Sequence, residues 1–358
     1  MTLISFIRQA FPFRSSRPSE AQRSTPSTGL RPPTTGQRRE DVQLWKAQLK
    51  QAQGLHARLE RAMPSKRPSA ASLLTRSAAP DMPLQASTRV LLKDSLPEKG
   101  GDVLHASWLS RDGLFGGGSM VMASPRVQDS RAWASACAEH KVAVVVDLGS
   151  PEEARTLNHC MRSTAPAVFD DCSVAFMPRS QNGLGFPEET RLSGLGEGAV
   201  SRPLKAIVRA HVDGGKDRRD AVPANSAVSA SLPALIAHDM AWLRIPSSRE
   251  EAIGPRALLD VCRHLRTLGL EESGTVAFMS PGGDRRSAVF GAAWDIQRKI
   301  DAGGINRAGL PMLVEGVCQR VRAQRHPSAL DAKEDIASLL AFATLALEAR
   351  LGNGRRTA

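Results

Sequence analysis

Two continuous apolar runs constrain this chain more than anything else in it. They are Val142-Ala143-Val144-Val145-Val146-Asp147-Leu148 and Thr275-Val276-Ala277-Phe278-Met279. Runs of this kind suit strands buried on both faces, at the centre of a sheet covered by helices on each side. Behind the first, Ser150-Pro151-Glu152-Glu153 forms a capping box with Pro at the first helical position, which predicts a helix through about 161. Residues 173–177, 204–212 and 234–245 read as extended, and Asp213-Gly214-Gly215 as a turn. Pro255 opens a helix whose apolar face holds Leu258, Leu259, Cys262 and Leu265. Further helices are expected at 286–301, 310–324 and 332–350. Strands alternate with helices, with some hairpins between them, so the class is α/β with a mixed sheet. The globular part spans about 85–350, enough for one sizeable core, with 351–358 as a tail.

The first 84 residues differ. They carry most of the net charge: residues 1–80 hold 14 Lys/Arg against 4 Asp/Glu, while the whole chain is +12. The body is close to neutral, which argues against a nucleic-acid partner. Residues 1–39 run Ser, Thr, Pro, Arg and Gln with few large apolar side chains after Phe13, and read as disordered. Residues 64–84 read as a linker. Between them, Trp45, Leu49, Ala52, Leu59 and Met63 share one helical face over 40–63. Such a helix either lies on the body or waits for a partner. Met1–Phe13 shows no Sec-type h-region and no N-terminal Gly for myristoylation.

No run approaches the ~18 apolar residues of a membrane span. Cys137, Cys160, Cys172, Cys262 and Cys318 are odd in number and irregular in spacing, so free thiols are expected. No metal and no cofactor is expected. His238-Asp239 reads as a sheet-surface pair, because strand neighbours point to opposite faces. Trp108, Trp133, Trp242 and Trp294 read as core anchors.

The stretch Phe278-Met279-Ser280-Pro281-Gly282-Gly283-Asp284-Arg285-Arg286-Ser287 carries the chemistry. A buried strand ends, a Gly-rich turn follows and a helix begins. Backbone N–H groups at such a turn, with the helix dipole, favour an anion. Arg286 can clamp two phosphate oxygens with its planar fork. Asp284 opposes an anion unless Arg285 pairs with it.

The order Ser280-x-x-Gly283-x-x-Arg286-Ser287 resembles the protein tyrosine phosphatase signature, HCxxGxxR[S/T]. It departs at two places: Met279 stands for the His and Ser280 for the nucleophilic Cys. The lead-in through Met122-Ala123-Ser124-Pro125, Trp133 and Glu139-His140-Lys141 is similar to that family too. Trp242-Leu243-Arg244-Ile245-Pro246-Ser247 lies where the family has its mobile Trp-Pro-Asp loop. Matching the Trp puts Arg244 at the general-acid position; matching the Pro puts Ser247 there. Val321-Arg322-Ala323-Gln324-Arg325 resembles the helix after the signature, and Asp331 falls at the position of the family's Gln.

The resemblance implies a mixed twisted sheet flanked by helices. It implies Pro281, Gly282, Gly283, Asp284, Arg285, Arg286 and Ser287 as phosphate-binding positions. It is nearest to phosphatase effectors that Gram-negative bacteria inject by type III secretion. That implies delivery into the host cell cytoplasm, a host partner (phosphorylated or not) and a secretion chaperone bound at about 40–63.

Chemically, a Ser hydroxyl is far less acidic than a loop Cys, and Met279 supplies no base. Loss of the general acid removes about 10²–10⁴ in rate. The expectation is a pseudophosphatase that binds without hydrolysing. The rivals are an active phosphatase by an altered mechanism, an interaction protein with a vestigial site, and a serine hydrolase using Ser280. The chain has no Tyr, so a substrate ring cannot stack on one, and phosphoserine or phosphoinositide ligands stay open.

Overall fold

The two apolar runs lie side by side at the centre of one sheet. The computed structural model describes residues 39–62, 90, 106–110, 118–124, 130–150, 167–168, 172–178, 190–192, 195, 198–210, 234–247, 250–270, 274–283, 285–326 and 329–354. Strands β1 (Ala106–Ser110), β2 (Ser119–Ala123), β3 (Val142–Asp147), β4 (Ala167–Val168), β5 (Cys172–Pro178), β6 (Thr190–Arg191), β7 (Val200–Ala210), β8 (Ala234–Arg244) and β9 (Thr275–Ser280) form the sheet. Its order is β1-β2-β9-β3-β8-β7-β5-β4, with β6 on β7. Helices are α1 (Arg39–Ala62), α2 (Ser130–Glu139), α3 (Pro255–Thr267), α4 (Arg285–Ala302), α5 (Leu310–Gln324) and α6 (Lys333–Gly354). The four central strands, β2, β9, β3 and β8, are mutually parallel; the flanking pairs are antiparallel. The expected mixed α/β sheet is the observed one.

Side chains of the central strands divide between two cores, alternating along each strand except at the register shift between Val142 and Val144. Val144, Val146, Leu243, Val276 and Phe278 join the core under α1 and α3–α6. Val142, Val145, Trp242, Ala277 and Met279 join a second core with Trp133 and Cys137 of α2. A strand buried on both faces needs apolar residues at every position, which is why these runs do not alternate. Trp108, Trp133, Trp242 and Trp294 are all core residues. Trp133 donates to Met122 Sδ at 3.0 Å and stands edge-on to Phe176. Gly291 lets α4 settle on the sheet: a Cβ there would lie 2.4 Å from Leu109 Cδ1.

Several expectations shift. β1 and β2 are not among the strands expected from the sequence. β7 begins at Val200, ahead of the expected 204; Pro203 lies opposite Ala241 of β8, between the stretches of β7 that pair with β6 and with β5. α6 runs four residues into the expected tail. Residues 151–161 of the expected helix, the turn at 213–215, the arm before Arg39 and the linker at 64–84 lie outside the described residues.

The helix at 39–62 lies on the body. Trp45, Ala52, Leu55 and Leu59 are buried in the helical core. Trp45 Nε1 donates to the Glu334 carbonyl at 3.1 Å. Arg58 grips Glu315 with both Nε and Nη2, Arg256 donates to the buried Asp41 at 2.6 Å, and Arg322 to Glu60 at 2.6 Å. The face that a chaperone at 40–63 would need is therefore occupied by the fold itself, and the packed body starts upstream of residue 85. Leu55→Ala should cost about 2–5 kcal/mol in urea unfolding, the penalty of an unfilled core site. A change below 0.5 kcal/mol would mean α1 is not part of the cooperative unit.

Candidate functional site

Four parallel strands bring their carboxyl ends to one edge of the sheet, where open α/β folds place ligands. The chain ends stay hydrogen-bonded past the strands. Ser124 N donates to Ser280 O, Leu148 N to Met279 O and Ile245 N to Asp147 O, each at 2.8 Å. Ser280 is thus the last residue of the second central strand. The chain then turns: Gly283 N donates back to Ser280 O at 2.9 Å, and α4 starts at Arg285. Gly283 has φ +62°. A Cβ there would sit 2.4 Å from Ala123 N and 2.6 Å from both Met122 C and Arg325 Nη2. No other residue fits this corner. Arg325, fully buried, donates from Nε to Gly283 O at 2.8 Å and from Nη1 to Ser107 Oγ at 3.2 Å.

The functional side chains then separate into groups. Ser280 Oγ and Ser287 Oγ lie 3.0 Å apart with no solvent exposure. Among the described residues, no imidazole and no carboxylate is hydrogen-bonded to Ser280. Arg286, 4 % exposed, donates from Nη1 to the Ser247 carbonyl at 3.0 Å. Ser247 Oγ in turn donates to Leu148 O at 3.0 Å. Residues 245–247 are therefore latched onto the signature loop. Pro281 and Gly282 are half-buried; Asp284 lies outside the described residues.

Arg285 departs from the expected phosphate-binding role. It forms a two-pronged pair with the buried Asp335 of α6, at 2.6 and 2.8 Å, and donates to the Glu251 carbonyl at 2.7 Å. Its fork is spent on bracing α6 and the 251 segment. Burial pushes the Asp335 carboxyl up, against the opposing pull of Arg285.

Trp242 sits inside β8 opposite Val145, fully buried, with the Arg202 guanidinium 4.3 Å over its ring. It is a sheet residue, not a loop residue. Arg244 ends β8 opposite Asp147. Asp331 is exposed, and its carbonyl is bonded to His56 Nε2. His238 Nε2 is bonded to the Val142 carbonyl, as a sheet-surface His should be. Cys137, Cys262 and Cys318 are buried free thiols, and burial raises all three, Cys318 to about 12. None offers a thiolate.

Sequence reasoning missed two contributors. Asp147 is a fully buried carboxyl that closes β3 and accepts from Gly149 N at 3.1 Å. Its signal was a charged residue ending an apolar run. Ser107, on β1, had no signal at all. Among the described residues there is no cluster able to hold a metal, and no helix is long and apolar enough to cross a membrane.

No protein-family model matches this sequence, and no curated protein is significantly similar to it. Solved structures are similar. The Trypanosoma cruzi protein tyrosine phosphatase TcPTP1 superposes with TM-score 0.58 at 14 % identity, covering 86 % of this chain and 94 % of that one. Trypanosoma brucei TbPTP1 gives 0.58 at 15 %, covering 86 % and 93 %. PTPN18 gives 0.54 at 16 %, covering 85 % and 95 %. The chain has the protein tyrosine phosphatase fold.

Gly283→Ala should destabilise the protein by at least about 1–3 kcal/mol, read from the shift in urea midpoint. Asp335→Ala strands a mostly buried guanidinium and should cost about 3–5 kcal/mol in the same assay.

Proposed function

We propose that this protein is a pseudophosphatase: its signature loop holds a phosphorylated partner without hydrolysing it. The observation that carries this reading is that Ser280 Oγ, fully buried, is hydrogen-bonded to another hydroxyl, Ser287 Oγ, at 3.0 Å, and to no imidazole or carboxylate among the described residues. Hydrolysis by the fold's mechanism begins with an anionic nucleophile. A serine that shares its proton with another hydroxyl does not supply one. Of the two candidate acid positions, Ser247 is the one in contact with Arg286, which favours matching by Pro246. A serine there cannot protonate a leaving group, and a missing acid costs about 10²–10⁴.

Binding needs less. α4 begins at Arg285, just past the turn at Gly283, and a helix N-terminus favours an anion. The two hydroxyls are neutral, so they do not repel phosphate. Arg286 would exchange the Ser247 carbonyl for phosphate oxygens, a neutral hydrogen bond for charge-assisted ones. That exchange frees the Ser247 carbonyl, while Ser247 Oγ keeps its bond to Leu148 O and Ile245 N its bond to Asp147 O.

A second reading, an interaction protein with a vestigial site, draws on the closure of the same pocket. Ser280 and Ser287 have no exposure, and Arg286 is bonded to main chain. Delivery through a type III system into a host cell remains part of the proposal. It is supported by the basic Ser/Pro-rich composition of the first residues.

Calorimetric titration of the full chain with phosphotyrosine and phosphoserine peptides separates these readings. Pseudophosphatase function predicts heat with at least one peptide, loss of binding in Arg286→Ala, and no release of p-nitrophenol from p-nitrophenyl phosphate. No heat with either protein favours the vestigial site. Turnover that disappears in Ser280→Ala would sink the inactive reading.

A further inference from the structure

Two side chains hold the signature loop from outside it. Arg325 donates to the Gly283 carbonyl, and Asp335 receives both prongs of Arg285. They stand at the two ends of one connection: Arg325 closes α5, and Asp335 lies in the first turn of α6. Between them Leu330 is fully buried with φ +61°. A leucine in the left-handed region is strained, and it persists only where surrounding contacts hold it. Beyond it, Ala332 O accepts from Asp335 N and Ile336 N at 3.1 and 3.3 Å, so the connection runs directly into the turn that carries Asp335.

Helix α1 supplies the contacts that hold this segment. His56 Nε2 donates to the Asp331 carbonyl at 2.5 Å. Arg322, buried one turn before Arg325, donates from Nη2 to the Leu330 carbonyl at 2.8 Å and from Nη1 to Glu60 at 2.6 Å. A buried guanidinium needs an anion, and Glu60 provides it from α1. The carboxylate that aims Arg322 thus also fixes the group that pins Leu330. Docking of α1 rests on its apolar face, Trp45, Ala52, Leu55 and Leu59. It does not account for a histidine and a glutamate aimed at a strained backbone segment and its arginine. Arg58, between them in sequence, pairs instead with Glu315 of α5 and takes no part in these contacts.

We infer that His56 and Glu60 are positioning residues for the signature loop. They set the segment at 330–331, and through it Arg325 and Asp335, which fix the loop at Gly283 and Arg285. The consequence for ligand affinity rests on the phosphate-binding reading proposed above; the consequence for the loop's own protection from solvent does not. His56 is half-buried and Glu60 exposed, so truncating them opens no core cavity.

Hydrogen exchange of the ligand-free full chain, read by mass spectrometry on peptides covering 282–287, tests this. The double variant His56→Ala, Glu60→Ala is expected to exchange there at least about threefold faster, with β3 unchanged. The double variant His56→Gln, Glu60→Gln keeps a donor and an acceptor at the two places and should restore most of the protection. Arg58→Ala breaks only the neighbouring pair with Glu315 and should leave the loop as in the parent. Any phosphotyrosine or phosphoserine peptide that the parent binds should bind about three- to tenfold more weakly to the double alanine variant, and unchanged to Arg58→Ala. Should the double alanine variant fail to fold, Glu60→Ala alone is read in the same way. The inference is overturned by unchanged loop exchange in the alanine variant, by equal acceleration in Arg58→Ala, or by no recovery in the glutamine variant. A parent that binds neither peptide overturns the phosphate-binding reading, and the exchange rates then decide this one.

Discussion

The bond from Arg325 Nε to the Gly283 carbonyl holds the site together. It comes from a fully buried guanidinium at the end of α5 that also reaches Ser107 on β1. A buried charge must be satisfied by several acceptors or it destabilises the fold. Here the acceptors are the loop's own carbonyl and a hydroxyl two strands away, so loop, helix and sheet edge are tied to one group. The absence of a side chain at Gly283 is the other half of the arrangement, because it lets the loop press against the backbone of Met122 and Ala123. These two contacts fix the corner of the loop between β9 and α4.

What that scaffold carries has changed in character. Where the fold's enzymes depend on a thiolate, two hydroxyls share a hydrogen bond in a space closed to solvent. Neutral groups can face each other there with no desolvation cost for a charge. The arginine beside them is retained and bonded to the carbonyl of Ser247, which ties the loop after β8 to the loop after β9. The neighbouring Arg285 serves structure instead, clasping Asp335 across to α6. Two adjacent arginines on one helical turn point to different partners and do different work.

Helix α1 explains how a chain with few aromatic residues closes its helical layer. Trp45, Leu55 and Leu59 extend the core formed by α3, α5 and α6, and full burial of each such side chain contributes about 1.5–3 kcal/mol. Around that seam run the pairs Arg58–Glu315, Arg256–Asp41 and Arg322–Glu60. The exposed pairs among these are worth little in stability, but their spacing fixes the helix's register on the body.

The sequence by itself determined the class of the fold and the place of the loop. Continuous apolar strands at 142–148 and 275–279 can only be central, and Pro255, Gly283 and the helix periods mark their own positions locally. The four-residue order Ser280, Gly283, Arg286 and Ser287 was legible because signature loops are contiguous in the chain. Tertiary structure alone decided everything that depends on long-range contact. It chose whether the apolar face of 40–63 was covered, which residue met Arg286, and where Arg285 sent its charge. It also brought His56 against the Asp331 carbonyl and Glu60 against Arg322. Such choices rest on side chains that are distant in sequence and adjacent in space, and periodicity along one chain carries no term for them.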